Sequence, residues 1–351
     1  MKNLKKYMAM IFAAGAVMLL IGSCKKSESQ ADYNSNKAAL SLQIDSAQNL
    51  YTTAVEGKAA GNYSIGSKAV LKTAIDLANG VKTGRFTQQE VNNALANLKR
   101  AESAFKANII QEVSPDNLVA YWKFDGDTKD ASGNGHDGVL KTGWVGNSAA
   151  TAVDGGTLPV LTTDRAGAAN KAYSFNNGAY VEVPYAASLR PASFTLSVWV
   201  KVAATNAGNY IFSLDRWNGY KFQLQSNNFP FITLNTDAGY HDIDDNPGAV
   251  PIGTWTHVAV SYTNGTVVFY INGVVVKTVS SPGTPLPLPV ITNLAIGNEM
   301  PKTAYNFTDS SSSQYFYGAS YFMGAIDDMR LYNKVLSVSE VHSIYVMEQP
   351  N

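Results

Sequence analysis

The sequence predicts a mainly β chain: an antiparallel β-sandwich of the jelly-roll kind, preceded by a small three-helix bundle. Three observations carry this. Beyond residue 117, short apolar runs alternate with period two and are separated by Asn-Gly and similar turn pairs, the pattern of strands buried on one face. Between residues 34 and 110 the apolar residues recur instead at helical spacing, and that stretch has neither Trp nor Pro. The aromatic residues are unevenly placed as well. All five Trp, 15 of 19 Tyr and 11 of 14 Phe lie beyond residue 117, so the composition changes at Ser114-Pro115-Asp116-Asn117.

Bulk numbers narrow the function classes. A length of 351 residues suits two domains. The 27 basic and 27 acidic side chains balance, which speaks against nucleic acid as a partner, since a nucleic-acid binder carries a basic domain or stripe. That zero has two parts: residues 1–116 carry 14 basic against 9 acidic side chains, and residues 117–351 carry 13 against 18. A single cysteine forms no internal disulfide. The four histidines, His136, His241, His257 and His342, are scattered without zinc spacing.

At the N-terminus, Lys2, Lys5 and Lys6 precede the uncharged, mostly apolar run Met8 to Ile21. Its 14 residues are short for a membrane span, which needs about 20, and suit the apolar region of a signal peptide. Ile21-Gly22-Ser23-Cys24 resembles a bacterial lipobox. That resemblance implies a signal peptide over 1–23, acylation of Cys24 and a membrane partner held through several acyl chains. Residues 24–33 read as a polar tether. They loosely resemble the export signals of Bacteroides-type surface lipoproteins, which implies an outer-membrane lipoprotein exposed at the cell surface, with a periplasmic orientation as the alternative.

The helical module is expected over 34–110. Leu40, Ile44, Ala47, Tyr51 and Ala54 share one face before Gly57 and Gly61 interrupt it. Val70, Leu71, Ala74, Ile75, Ala78 and Val81 form a second stripe, closed by Gly84. Thr87-Gln88-Gln89-Glu90 is a capping box, in which the two side chains cover orphan backbone N–H groups. It opens a third helix whose stripe is Val91, Ala94, Leu95, Leu98 and Phe105. The module resembles the FIVAR-type bundles of bacterial surface proteins at Gly61-Asn62-Tyr63 and Thr87-Gln88-x-Glu90-Val91, and is expected to act as a spacer. A linker over 111–116 follows.

The sandwich is expected over 117–349. Phe194, Leu196, Val198, Val200 and Val202 alternate with polar or small residues. Trp255 to Tyr262 alternates again, Asn264-Gly265 turns the chain, and Asn272-Gly273 turns it a second time. Ser337-x-x-Glu340 is a second capping box, opening a short terminal helix.

Six segments of this region carry a family resemblance. They are Asn117 to Asp125 with Asp130 to Gly138, Tyr173 to Val183, Phe194 to Lys201, Gly253 to Ala259, Phe269 to Gly273, and Gly324 to Asn333. In this order they are similar to the motifs of laminin-G-like, concanavalin A-like lectin domains. The resemblance implies a concanavalin A-like jelly roll and makes sugar recognition and glucan hydrolysis the first chemistries to weigh.

Glycoside hydrolysis uses two carboxylates, about 5–5.5 Å apart in retaining enzymes and about 6.5–9.5 Å apart in inverting ones. Laminarinase-type members of the family carry Glu-x-Asp-x-x-Glu on one strand. Here the domain has four glutamates, Glu182, Glu299, Glu340 and Glu348, and none makes that motif, so no catalytic residues are expected. His241-Asp242-Ile243-Asp244-Asp245 is the densest acidic cluster, but Asn246-Pro247-Gly248 behind it reads as a loop. Asp125 to Gly138 is an oxygen-rich loop with four glycines, of a kind that offers calcium both carboxylates and backbone carbonyls. The resemblance implies a structural Ca2+ there, with Asp130 and Asp327 as ligands and Asp125 and Asn134 beside them.

Sugar binding calls for exposed aromatic faces with Asp, Asn and Arg nearby for the hydroxyls. Trp122, Trp199 and Trp255 fall inside strand motifs and are assigned to packing. The candidates lie on loops: Asp215, Arg216, Trp217 and Tyr220 in one, Tyr240 and His241 in another, and Tyr305, Tyr315 and Tyr317 in the long polar stretch 298–322. The expected function is therefore a non-catalytic, carbohydrate-binding lipoprotein whose partner is a polysaccharide or a glycoprotein glycan. An adhesin that binds protein through the same sheet is the alternative, followed by a glycoside hydrolase.

Overall fold

A computed structural model describes residues 32–113, 115–206, 208–244 and 248–350. The expected signal peptide and Cys24 lie outside the described residues. Three helices come first: α1 (Ala38–Thr53), α2 (Ser67–Thr83) and α3 (Gln88–Ala107). Their buried residues, among them Leu40, Ile44, Leu71, Ile75, Val91, Leu98 and Phe105, form one core. The capping box at Thr87 is in place, with Thr87 N donating to Glu90 Oε2 at 2.8 Å. Val70 departs from its expected stripe and is 59% exposed, because its neighbour Leu71 takes the inward position of that turn.

The strands follow in the order β1 (Leu118–Trp122), β2 (Val139–Lys141), β3 (Trp144–Val145), β4 (Val153–Asp154), β5 (Val160–Thr162), β6 (Ala172–Phe175), β7 (Tyr180–Val183), β8 (Phe194–Val202) and β9 (Asn209–Leu214). They continue with β10 (Tyr220–Leu224), β11 (Pro230–Thr236), β12 (Gly239–Asp244), β13 (Thr256–Thr263), β14 (Gly265–Ile271), β15 (Val274–Ser281), β16 (Leu294–Ile296) and β17 (Gly324–Tyr332). A last helix, α4 (Val338–Glu348), closes the described chain. Its Ser337–Glu340 capping box is present as well.

Two antiparallel sheets make the sandwich. The first runs β15-β14-β13-β8-β17-β6-β5, with β1 added on β17; the second runs β12-β11-β10-β9-β16-β7-β2. The five alternating residues of β8 all enter the shared core, where they meet Tyr220, Phe222 and Leu224 of β10 and Val258, Val260 and Tyr262 of β13. Both Asn-Gly turns connect paired strands as expected, with Thr263 opposite Thr266 and Ile271 opposite Val274. Asn272 and Gly273 both have positive φ, 50° and 71°, the geometry that matches the twist of a hairpin.

The other side of β8 is covered too. There Leu336, just before α4, and Val341 and Ile344 of α4 pack against Ala259, Tyr270 and Tyr332. Tyr345 stacks on Trp199 with ring centroids 5.7 Å apart, and Trp199 Nε1 donates to Glu348 Oε2 at 2.7 Å. The three-helix bundle docks on α4 through polar contacts. Gln111 N donates to Ser343 Oγ at 2.8 Å, Lys58 Nζ to Gln349 O at 2.5 Å, and Ser64 Oγ lies 3.2 Å from His342 Nε2. The bundle is therefore mounted on the first sheet's outer side, and the second sheet's outer face points the other way.

Candidate functional site

The second sheet turns its odd-numbered β10 residues, Lys221 and Gln223, away from the core occupied by Tyr220, Phe222 and Leu224. Register aligns Lys221 with Ser213 on β9 and Thr233 on β11, and Thr233 with Asp242 on β12. Such an outward row is solvated in most sandwiches. Here Tyr210, Lys221, Gln223 and Thr233 are all buried, so this face carries a covered polar layer. Lys221 Nζ donates to Tyr210 OH at 3.0 Å and lies 4.9 Å and 5.4 Å from the Tyr210 and Phe231 ring centres. Burial lowers its ammonium pKa to about 8, against the pull of Asp242 and Glu299.

At one end of this layer the turn 215–219 joins β9 to β10. Its backbone is strained: Asp215 and Arg216 both have positive φ, 56° and 34°, a region that costs non-glycine residues free energy and is often found at functional sites. Two side chains hold it in place. Asp215 is fully buried and accepts from Asn218 Nδ2 at 3.2 Å and Gln314 Nε2 at 3.5 Å. Arg216, 1% exposed, donates from Nη1 to Glu299 Oε1 at 3.1 Å and from Nη2 to the Tyr315 carbonyl at 2.6 Å. Tyr305 OH donates to the same Glu299 oxygen at 3.0 Å. Burial raises the Glu299 carboxyl pKa, opposed first by Arg216 and then by Tyr305 and Lys221. Burial also raises the Tyr210 and Tyr305 hydroxyls, with Glu299 adding to the effect.

Over this pair opens a cavity of about 370 Å³ lined by Asn147, Tyr210, Arg216, Trp217, Glu299 and Tyr317, with Gly318 to Ser320 completing the wall. Trp217 and Tyr317 flank it with ring centroids 5.9 Å apart. Tyr317 is 55% exposed and braced edge-on by Tyr315 at 5.0 Å. The Arg216 guanidinium lies 4.5 Å from the Trp217 ring centre, and its Nε–H has no hydrogen-bond partner among the described residues. The opposite wall is fixed by Ala319 N donating to Gly146 O at 2.8 Å. The result is an aromatic rim above a charged, donor-rich floor.

The structure thus sorts the residues singled out from sequence. Arg216, Trp217 and Tyr317 line one cavity; Asp215, Tyr305 and Tyr315 hold its floor and rim. Tyr220 does not belong to the site: it is 3% exposed, sits in the sandwich core and donates its hydroxyl to Leu189 O. Tyr240 and His241 are not on a loop. They lie on β12, the edge strand beyond β11, and neither lines the cavity. Tyr240 is 63% exposed there, and His241 Nε2 lies 3.1 Å from Thr236 Oγ1. Glu299, Tyr210 and Asn147 were not among the expected ligand-binding residues. The available hint was Glu299 itself, one of four glutamates in the domain and set in the aromatic stretch 298–322.

The four expected calcium ligands are each engaged by groups of the protein itself. Asp130 accepts backbone N–H groups from Tyr121 and Ser132 at 2.9 Å and from His136 at 3.0 Å. Asp327 pairs with Arg165 at 2.5 Å, and burial with the neighbouring Asp328 pushes its carboxyl up to about 8. Asp125 faces Lys171 at 3.6 Å. Asn134 spends its amide N–H groups on the carbonyls of Leu118 and Val119 at 2.8 and 2.9 Å. Among the described residues no group of three or more His, Cys, Asp or Glu side chains is placed to hold a metal ion. The loop's oxygens accept from donors of the fold itself.

Comparison with known proteins agrees with the architecture. Residues 175–342 match the family model described as the concanavalin A-like lectin/glucanases superfamily, Laminin_G_3. Over these residues the sandwich is similar to that family. The matched span begins at Phe175, so it holds the cavity's floor and aromatic rim but not Asn147 or the opening motif. No curated protein matches the chain. Among solved structures, domain 4 of an extracellular GH43 arabinanase from Geobacillus stearothermophilus, in complex with arabinotriose, is 23% identical at a TM-score of 0.44, covering 65% of this chain and 98% of that one. A botulinum neurotoxin type C structure, described in terms of cell entry dependent on two ganglioside molecules, is 16% identical at 0.42, covering 66% and 51%. The botulinum neurotoxin serotype C1 binding domain is 16% identical at 0.44, covering 67% and 53%. This chain therefore spans about half the length of those neurotoxin chains.

Proposed function

We propose that this protein is a non-catalytic, glycan-binding lipoprotein of the bacterial cell envelope, displayed at the outer-membrane surface and assisting polysaccharide capture. The observation that carries the binding reading is the cavity between Trp217 and Tyr317, with Arg216 and Glu299 as its floor. Aromatic faces match the apolar faces of pyranose rings, and buried, fixed donors and acceptors match their hydroxyls; a small number of such polar groups in an aromatic setting is how binding sites set orientation. The unpartnered Nε–H of Arg216 supplies a donor that a sugar hydroxyl would satisfy.

Catalysis is not part of this reading. Glu299 already accepts from the protein's own Arg216 and Tyr305, and among the described residues no second carboxylate lines the cavity. Envelope anchoring rests on the lipobox-like Ile21 to Cys24. Among the described residues, no helix is long and apolar enough to cross a membrane. A glycan array followed by a hydrolysis assay on each hit tests the function: binding without product release is expected. Binding to no glycan would overturn the reading, and release of sugar would move it to the hydrolases.

A further inference from the structure

The three-helix bundle has two ends with different partners. One end, around Lys58, Ser64 and Gln111, docks on α4 of the sandwich. The other receives the start of the described chain. There Asn36 N donates to Gln88 Oε1 at 2.8 Å, Lys37 Nζ donates to the carbonyls of Lys82, at 3.0 Å, and Gly84, and the Arg85 guanidinium lies 5.6 Å from the Tyr33 ring. The 17 residues of α2 put about 25 Å between these ends.

On the half of the bundle nearer Tyr33, a cavity of about 420 Å³ opens between α2 and α3. It is lined chiefly by Ala74, Leu77, Ala78, Val81, Phe86 and Leu98. Leu77 is 71% exposed at its edge, in a helix whose inward face is already filled by Leu71, Ile75 and Ala78. The cavity's lining is mostly aliphatic and aromatic, completed by Glu90, Asn93 and Asn97.

We propose that this α2–α3 face is a lipid-contact surface, resting on the same membrane to which the chain is tethered. The inference rests on the lipoprotein reading given above. Where the chain starts argues for a membrane: Cys24 is eight residues from Asp32, a reach of at most about 30 Å when extended. The bundle's tethered end is therefore held close to the bilayer. Charge argues the same way. Lys37, Lys82 and Arg85 cluster at that end, and residues 32–110 carry nine basic against six acidic side chains. Glu90, which lines the groove with Asn93 and Asn97, is held by the Thr87 cap. An apolar stripe with basic neighbours is the composition of a surface that lies in the interface of an anionic membrane. The bundle then lies along the bilayer, and the sandwich mounted on its far end is carried clear of it.

The test uses the leaderless chain, residues 25–351, which contains every described residue and no lipid. Sedimentation with vesicles of phosphatidylethanolamine and phosphatidylglycerol is expected to show partition onto the membrane. Leu77→Glu is expected to weaken that partition at least about tenfold, with circular dichroism unchanged. Leu42→Glu, at a 72% exposed position on α1 outside the groove, is expected to leave partition unchanged. No partition, or equal loss with both variants, would overturn the proposal. So would a dimer in light scattering that Leu77→Glu dissociates, since the face would then join two copies. Mass spectrometry of protein extracted from its native membrane separately reads acylation of Cys24; an unmodified cysteine sinks the tether while the vesicle result stands by itself.

Discussion

At the residue scale, the site depends on one buried ion pair. Arg216 and Glu299 are both almost fully buried and meet at 3.1 Å, so each compensates a charge that the other would leave stranded. Removing one partner of such a pair typically costs about 3–5 kcal/mol. Glu299→Ala is expected to lose stability on that order in denaturant unfolding, and Glu299→Gln less, because the amide oxygen still accepts from Tyr305. An unchanged midpoint for Glu299→Ala would contradict the pairing. His257 sets a second expectation. It is fully buried, with Nε2 2.8 Å from Ser197 Oγ, and burial, then Arg330 and Arg165, lower its pKa to about 3. The unfolded imidazole protonates near 6.5. Between about pH 6.5 and pH 3 the unfolded chain therefore binds a proton that the folded chain does not, and stability falls as pH falls through that window. Replacing His257 with Gln is expected to flatten the urea midpoint between pH 7 and pH 4; an undiminished slope would assign the acid sensitivity elsewhere.

At the scale of elements, legibility followed the range of the interaction. Local devices were readable: the capping boxes at Thr87 and Ser337, the Asn-Gly hairpins and the alternation of β8 all appear where the residues indicate them. The turn carrying Trp217 was readable too, because Asn218-Gly219 interrupts two alternating runs. Its floor was not, because Arg216 meets a carboxylate 83 residues away, a pairing that no local pattern encodes. Tyr220 was misplaced because the turn ends one residue earlier, which makes it the first inward residue of β10. Tyr240 and His241 were misplaced because the turn signal at Asn246-Pro247-Gly248 was extended back over residues that pair with β11 as β12. Two measurements belong here. Thr87→Ala removes a cap and is expected to cost about 1 kcal/mol in thermal or chemical unfolding. Gly219→Ala would set a Cβ 2.1 Å from the backbone oxygen of Leu214, so the Trp217 turn must shift; weakened glycan binding is expected, and undisturbed binding would show that the turn's shape is not what holds the rim.

At the scale of the whole molecule, the two modules are joined back to back with the site on the free side. The bundle reaches the sandwich through α4, which covers the first sheet, while Trp217 and Tyr317 stand over the outer face of the second. This arrangement keeps the aromatic rim turned away from the surface on which the bundle docks. α4 is itself held at its last residues by Glu348, which accepts from Trp199 and pairs with Arg330. Glu348→Ala is expected to loosen α4 and the bundle together, read as faster protease cleavage within 111–116; unchanged cleavage would mean the polar contacts to α4 do not control the docking. The most direct test of the account remains the cavity. Calorimetric titration of the best glycan-array ligand is expected to lose at least about tenfold in affinity with Trp217→Ala and with Tyr317→Ala, in keeping with the loss of one aromatic anchor, and to be unaffected by Tyr240→Ala on β12. Full-strength binding by both rim variants, or loss with Tyr240→Ala alone, would contradict it.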